Sequence, residues 1–197
     1  MKVSKQQMAL NRERILDTAA TLFRERGFDG IGVADLMEKA GLTHGGFYGH
    51  FASKEALMAE ASTRAGAQAE GLWEGARQGG TQAPAALRAA FADYYLSAGH
   101  RAEPGQGCVV AALGADAARQ GGPVREAFTR FIRSAAERIA AISPGRSAAA
   151  RRSRALADYS QMVGAMVLAR AVDDTALSDE ILAAARERLG LDSKGTD

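Results

Sequence analysis

Apolar side chains recur every three to four positions along most of this 197-residue chain, and this spacing constrains its fold more than any other feature. The first such stretch covers residues 8–26, where Ile15, Ala19 and Phe23 fall on one helical face and charged side chains fall between them. Strand-like alternation is rare, and the apolar content comes from Ala, Leu and Val more than from aromatic residues. The pattern predicts an all-α protein.

Glycine and proline interrupt this pattern and divide the chain into about nine helices. We expect helices over residues 8–26, 33–40, 43–50, 54–78, 83–99, 108–119, 123–142, 147–171 and 178–189. Gly27 and Gly41 follow the first two, at positions where a residue of positive φ commonly ends a helix. Residues 99–107 contain Pro104 and are expected to form a loop.

Charge and cysteine content limit the classes of function. The net charge is only +2, but residues 1–26 carry six basic and three acidic side chains. A DNA-binding protein needs a basic face rather than a basic whole, so this balance is compatible with one. Cys108 is the single cysteine, which excludes an intrachain disulfide framework. The chain has no apolar signal-peptide core and no uncharged apolar run of about 18 residues, so we expect a cytoplasmic protein without a membrane span.

Residues 33–51 have the layout of a helix-turn-helix. A short helix ends at Gly41, a turn follows, and Thr43 is the expected N-cap of the second helix. The second helix of such a unit lies in the major groove of DNA, and its N-terminal residues reach base edges. Gly45 and its neighbour at 46 let the backbone approach DNA closely, while the hydroxyl, imidazole and phenol groups beside them suit phosphates and base edges. Lys54 follows the expected cap Ser53, at a helix N-terminus that suits a phosphate.

Several motifs between residues 14 and 57 resemble the TetR family of bacterial regulators. The matching runs, in chain order, are Ile15-Leu16-Asp17-Thr18-Ala19, Leu22-Phe23, Gly27-Phe28, Ala40-Gly41-Leu42-Thr43-His44-Gly45, Phe47-Tyr48-Gly49-His50-Phe51 and Ser53-Lys54-Glu55-Ala56-Leu57. The number and order of these matches make the resemblance specific. Beyond residue 60 the resemblance rests on length and helix count.

This resemblance implies a DNA-binding transcriptional regulator rather than an enzyme. Residues 1–53 would form a three-helix helix-turn-helix DNA-binding domain, and residues 54–197 a helical body for ligand binding and dimerisation. The regulator would be a repressor that a small-molecule or electrophile effector releases from a palindromic operator on double-stranded DNA. The positions that align with DNA contacts in the family are Thr43, His44, Gly45, Tyr48, His50 and Lys54.

The chain departs from the family pattern just before its second helix. Family members usually carry Thr or Ser at the positions of Ile31 and Gly32, where a hydroxyl caps the helix and often touches phosphate, and often Arg in place of Ala34. We therefore expect fewer phosphate contacts there. The three glycines within residues 45–49 leave few side chains to read bases, so the operator sequence does not follow from these residues.

The predicted body offers a dimer face and a ligand pocket. Helices 147–171 and 178–189 carry apolar and small side chains at helical spacing, and two such helices from each copy would form the four-helix interface of a homodimer. Packing within one chain is the alternative. Side chains that combine apolar bulk with a few polar tips are candidates for the pocket, with ordinary core as the alternative for each. They are Trp73, Phe91, Tyr94, Tyr95, Cys108, Phe128, Met162 and Met166.

Cys108 follows a glycine at the expected start of a helix, where a thiolate is stabilised. A Gly-Cys at this place is also similar to a TetR subgroup some of whose members respond to electrophiles or oxidants, so a sensor and a small buried hydrophobe both stay open. An all-helical thiol enzyme using Cys108 is the alternative function, although no second thiol or motif for a neighbouring base accompanies it. His44, His50 and His100 lack metal-ligand spacing, and we expect no metal and no cofactor.

Overall fold

The computed structural model describes residues 4–78 and 83–190 of the chain. Between residues 69 and 78 it describes the backbone and, of the side chains, only that of Trp73. Across these ranges the chain contains helices and no strand, which confirms the all-α prediction. No helix in the described part is both long and apolar enough to cross a membrane.

The helix bounds follow the predicted order closely. The α-helices are α1 (Lys5–Arg26), α2 (Val33–Lys39), α3 (Lys54–Gln78), α4 (Pro84–Tyr95), α5 (Ala98–Ala102), α6 (Val109–Ala117), α7 (Gly122–Ile142), α8 (Ala148–Ala171) and α9 (Thr175–Arg188). Two 3₁₀ helices, η1 (His44–Gly49) and η2 (Pro104–Gln106), lie between them. Side-chain oxygens of Ser4, Ser147 and Asp174 accept backbone N–H groups in the first turns of α1, α8 and α9, which fixes where these helices begin.

The segment predicted as an α-helix over residues 43–50 is instead the 3₁₀ helix η1. The N–H of Gly46 donates to the carbonyl of Thr43 at 3.0 Å, three residues earlier, and Thr43 occupies the N-cap position without a side-chain capping bond. Three of the six residues in η1 are glycine, which disfavours a regular α-helix. The tighter turn therefore replaces the predicted α-helix.

The predicted helix over residues 83–99 ends early, at Tyr95. Leu96 leaves the helical conformation, and Ser97 opens the new helix α5 by accepting the N–H of His100 at 3.1 Å. The region predicted as a loop over 99–107 therefore contains most of α5 and all of η2.

The described chain forms two compact units. The first is drawn from Met1–Ala69 and Pro104–Arg130. In its core the rings of Phe23 and Phe28 meet edge to face, with 5.3 Å between centroids, and Leu36 and Leu113 are buried as well. Helix α1 packs against α2, η2 and α6 within this unit. The predicted domains, 1–53 and 54–197, are defined by function, and they stay a prediction.

The second unit is drawn from Glu70–Glu103 and Phe131–Asp197. Its helices α8 and α9 pack along each other, and Met162 and Met166 of α8 are buried together with Leu182 of α9. Helix α5 also contacts α8, because the Arg170 guanidinium donates to the backbone carbonyls of His100 and Arg101.

Candidate nucleic-acid interface

The turn between α2 and η1 depends on Gly41. This residue has φ +68°, which an L side chain rarely adopts, so glycine is needed here. The N–H groups of Gly41 and Leu42 donate to the carbonyls of Glu38 and Met37 at 2.8 and 2.9 Å. These bonds close the end of α2 and direct the chain into η1.

Helix η1 is anchored on one side and exposed on the other. Phe47 is 0% exposed, its ring lies near parallel to that of Phe51 at 5.8 Å, and it meets the ring of Tyr48 edge on at 5.2 Å. Tyr48, the next residue, is 71% exposed. A solvated aromatic side chain held by a buried neighbour is preorganised for contact with a partner.

The structure places the six predicted DNA-contact residues on the continuous stretch 43–54. Thr43, His44, Gly45 and Tyr48 are exposed, and His50 and Lys54 are half-buried. A Cβ added at Gly45 would meet nothing within 4 Å, so the backbone there is open to close approach. These residues are accessible, and their contact with DNA stays a prediction.

Lys54 is the first residue of α3. The Ser53 hydroxyl accepts the N–H of Ala56 at 3.1 Å, which confirms the predicted cap. The first turn of a helix also presents N–H groups without partners in the helix, and an ammonium beside them suits a phosphate.

Helix α2 begins without a side-chain cap. Its N-cap residue Gly32 carries no hydroxyl, and the neighbouring Ile31 is buried. No hydroxyl therefore caps α2, and the expected shortage of phosphate contacts at these positions stays a prediction.

Sequence reasoning missed the polar contacts that tie α1 to the rest of the first unit. Arg24 is 3% exposed, and its guanidinium donates to the carbonyl of Gly107 at 3.0 Å and to Oε1 of Gln68 at 2.7 Å. Burial lowers the pKa of Arg24, while the nearby Cys108 and Glu25 act in the opposite direction. Helical spacing from the buried Ala20 is the signal that puts Arg24 on the apolar face, but its partners are distant in sequence.

A second set of missed contacts lies nearer the N-terminus of α1. Arg64 of α3 forms ion pairs with Glu13 and Asp17, the latter at 3.1 Å. Together with Arg24, these pairs connect α1 to α3 over several helical turns.

Comparisons of the sequence with known proteins identify this segment. Residues 15–61 match the family model described as bacterial regulatory proteins, tetR family. The HTH-type transcriptional repressor KstR2 of Rhodococcus jostii is 47% identical over 49 residues, which are 25% of this chain and 24% of that protein. The regulator YdgC of Bacillus subtilis is 45% identical over 53 residues, 27% of each chain. The chain thus matches about a quarter of the length of these curated relatives.

Solved structures resemble nearly the whole chain in fold. A TetR-family regulator from Cytophaga hutchinsonii has a TM-score of 0.78 at 21% identity, and the matched region is 99% of this chain and 100% of that protein's chain. The reduced form of E. coli NemR has a TM-score of 0.72 at 24% identity and covers 91% of this chain and 94% of its own. Residues 15–61 thus match the TetR family in sequence, and nearly the whole chain shares the fold of these solved structures.

The predicted ligand residues fall into two groups. Those in the second unit are Trp73, Phe91, Tyr94, Tyr95, Met162 and Met166, and those in the first are Cys108 and Phe128. Within the second unit, Trp73 stacks on Phe91 at 4.0 Å between centroids, and Phe91 contacts Tyr95 at 5.8 Å. Tyr94 instead stacks on His100, and Met166 is fully buried. The structure therefore joins three of the candidates in one aromatic row.

A small cavity in the second unit is lined in part by two of the predicted residues, Phe91 and Met162. Its lining consists of Arg88, Phe91, Ala92, Ile139, Ile142, Asp158, Met162 and Leu189. The cavity volume is about 10 Å³, which is room for about one water molecule. Sequence reasoning missed Arg88 and Asp158, whose side chains form an ion pair at 2.9 Å on the cavity wall.

Cys108 occupies the N-cap position of α6, near the predicted helix start, and its side chain makes no capping bond. It is 9% exposed. This burial agrees with a packed side chain, and a sensing role stays a proposal.

Proposed function

We propose that this chain is a homodimeric transcriptional regulator that acts on double-stranded DNA in the cytoplasm and has no enzymatic activity. The main observation in support is that the Tyr48 side chain is 71% exposed. Its ring contacts the buried Phe47, and both residues lie in the segment that matches the family model. An exposed ring adds little to the core of its own fold, whereas its hydroxyl and face suit phosphate and base contacts. Thr43, His44, Gly45, His50 and Lys54 lie along the same stretch and complete the proposed interface.

We propose that α8 and α9 pair two copies of the chain. The large apolar side chains that these helices leave exposed are Leu156, Val167, Leu168 and Leu177. Tyr159, Met166 and Leu182 are buried within the single chain, so the proposed interface does not include them. Two copies would present two η1 segments, which suits a palindromic operator whose half-sites are read together.

The proposed repressor is released when an effector favours a different conformation of the protein. Ligand pockets typically exceed about 300 Å³. The present cavity at Phe91 and Met162 has about 10 Å³, so an effector must displace side chains to enter it. An electrophile offers a second route, because the S–H of Cys108 can add across an electron-poor carbon–carbon double bond. The adduct would enlarge the residue next to Gly107, whose carbonyl accepts from Arg24 of α1.

The proposed function is tested by selecting DNA from a random pool with the purified protein at low salt. We expect a palindromic consensus whose half-sites lie about one helical turn apart, with an affinity that falls as salt rises. Tyr48→Ala and Lys54→Ala should each weaken binding roughly tenfold, and Lys54→Ala should also lower the salt slope by about one per protomer. A metabolite and electrophile screen for release from the selected DNA then tests the effector.

The matched control for Lys54→Ala is Arg133→Ala, which removes an exposed positive charge from α7. Its affinity for the selected DNA should equal that of the wild type. A pool that shows no enrichment at low salt would contradict the proposal.

A further inference from the structure

The rings of Phe51, Phe47 and Tyr48 form a row, and a cationic side chain of α1 lies against its Phe51 end. The guanidinium carbon of Arg12 lies 4.8 Å from the centroid of the Phe51 ring. Phe51 stacks on Phe47, and Phe47 contacts Tyr48 edge on. A side chain of α1 thus touches one end of a ring row whose other end is the exposed residue of the proposed interface.

The charge of Arg12 is already engaged within the first unit. Its Nη2 donates to Oε2 of Glu60 on α3. The ring face holds the plane of this guanidinium, and the carboxylate holds one of its N–H donors. These contacts direct the group towards α3 and Phe51 instead of towards a phosphate.

We propose that Arg12 is a positioning residue for DNA recognition, which holds Phe51 against Phe47 and so fixes Tyr48 without touching DNA. The inference rests on the proposed DNA-binding function. Three of the six residues of η1 are glycine, and 3₁₀ geometry is weak, so η1 gains its order from the rings beneath it. Arg12 of α1 braces those rings at Phe51, and Glu60 of α3 holds Arg12 in turn.

The test compares the affinity of Arg12 variants for the selected DNA over a range of salt concentrations. Arg12→Gln should weaken binding about tenfold with the wild-type salt slope, because no phosphate contact is lost. Arg12→Lys keeps a cation that can lie over the ring and pair with Glu60, and it should stay within about threefold of the wild type. Arg26→Gln, at an exposed arginine of the same helix, is the matched control and should bind as the wild type does.

A double-mutant cycle with Phe51→Leu asks whether Arg12 acts through the ring. Arg12→Gln should cost much less affinity in the Phe51→Leu background than in the wild type. The inference is overturned if the two losses of affinity are additive or if Arg12→Gln binds DNA as tightly as the wild type. It is also overturned if Arg12→Gln lowers the salt slope by about one per protomer, because Arg12 would then be a phosphate contact.

Hydrogen exchange of the free protein gives a readout that does not need DNA. The amides of His50 and Phe51 donate to the carbonyl of Phe47, so Arg12→Gln should speed their exchange severalfold and leave α9 unchanged. Equal rates in both proteins would overturn the inference even if the wild type binds DNA. A wild type that binds no DNA would instead overturn the proposed function, and the exchange rates would still decide whether Arg12 orders η1.

Discussion

His100 is a buried imidazole in the second unit. Its Nδ1 lies 2.7 Å from the carbonyl oxygen of Tyr95, and its ring packs against the rings of Tyr94 and Tyr95. Burial lowers the pKa of His100 below its ordinary value, the hydrogen bond to Tyr95 raises it, and Arg170 lowers it further. The folded protein therefore holds a neutral imidazole under conditions where the unfolded chain binds a proton.

We predict that this difference makes the protein less stable in mild acid. As the pH falls below about 6.5, the ordinary histidine pKa, the unfolded state takes up a proton that the folded state excludes, so the free energy of unfolding decreases. The decrease ends once the pH passes below the lowered pKa of the folded protein. His100→Asn keeps a donor near the position of Nδ1 and should remove this component. Urea unfolding of both proteins over this pH range checks the prediction, and identical pH dependence would contradict it.

At the scale of single elements, the glycines of η1 lower its helical stability and leave its backbone open. A Cβ added at Gly45 or at Gly49 would meet nothing within 4 Å, and neither residue has a positive φ. The fold therefore does not require glycine at either position, although glycine disfavours helix formation. The close approach of DNA to this backbone would explain why both positions are glycine.

We predict that Gly45→Ala and Gly49→Ala fold at least as stably as the wild type and bind the selected DNA at least tenfold more weakly. The expected gain in stability is up to about 1 kcal/mol each, because alanine loses less conformational freedom in a helix. Thermal unfolding and DNA titration measure the two effects separately. Gly122→Ala, at another open glycine, is the control and should leave DNA binding unchanged. Wild-type affinity in both η1 variants would show that no partner needs this space.

A largely buried ion pair joins α4 to α8. Asp158 of α8 accepts from Nε and Nη2 of Arg88 at 3.2 and 2.9 Å, and Nη1 of Arg88 donates to the carbonyl of Leu189 after α9. The two side chains are 15% and 12% exposed. One guanidinium thus joins three helical segments of the second unit.

We predict that Asp158→Asn destabilises the protein by about 2 kcal/mol, because it leaves a largely buried guanidinium without its carboxylate. This value is below that of a fully buried pair, since water still reaches part of both side chains. The double variant Arg88→Met/Asp158→Leu should recover most of the loss, because no charge is then buried. Urea unfolding compares the three proteins, and a double variant no more stable than Asp158→Asn would contradict this account.

Helices marked by local features such as caps and apolar spacing could be predicted from the sequence, whereas contacts between distant helices could not. The bounds of α3 match the prediction because Ser53 caps its start and the apolar period continues through it. Helix α5 was missed because it is one turn long and opens at Ser97 inside a glycine-containing stretch. The distant hydrogen-bond partners of Arg12, Arg24 and Arg88 lie 44 to 101 residues away, and no periodicity predicts such pairings.

At the scale of the whole molecule, the match to known regulators is uneven along the chain. The family model covers residues 15–61, whereas the likeness of fold covers nearly all of the chain at low sequence identity. The contact with DNA proposed for residues 43–54 would constrain particular side chains, and these residues lie within the segment that matches the family model. A helical body tolerates many apolar side chains, so only its helix order was predictable, and the cavity residues Arg88 and Asp158 were not.

The proposed dimer is the whole-molecule feature with the sharpest test. Leu168 of α8 is 57% exposed in the single chain, next to the exposed Val167. Leu168→Glu should produce a monomer at micromolar concentration, because it places a charge in the proposed apolar interface. Affinity for the palindromic DNA should then fall at least tenfold, since each half-site is read alone. Ile132→Glu, at an exposed apolar position on α7, is the matched control and should stay dimeric. Sedimentation equilibrium and DNA titration decide the matter: a Leu168→Glu protein that remains dimeric would remove α8 from the interface.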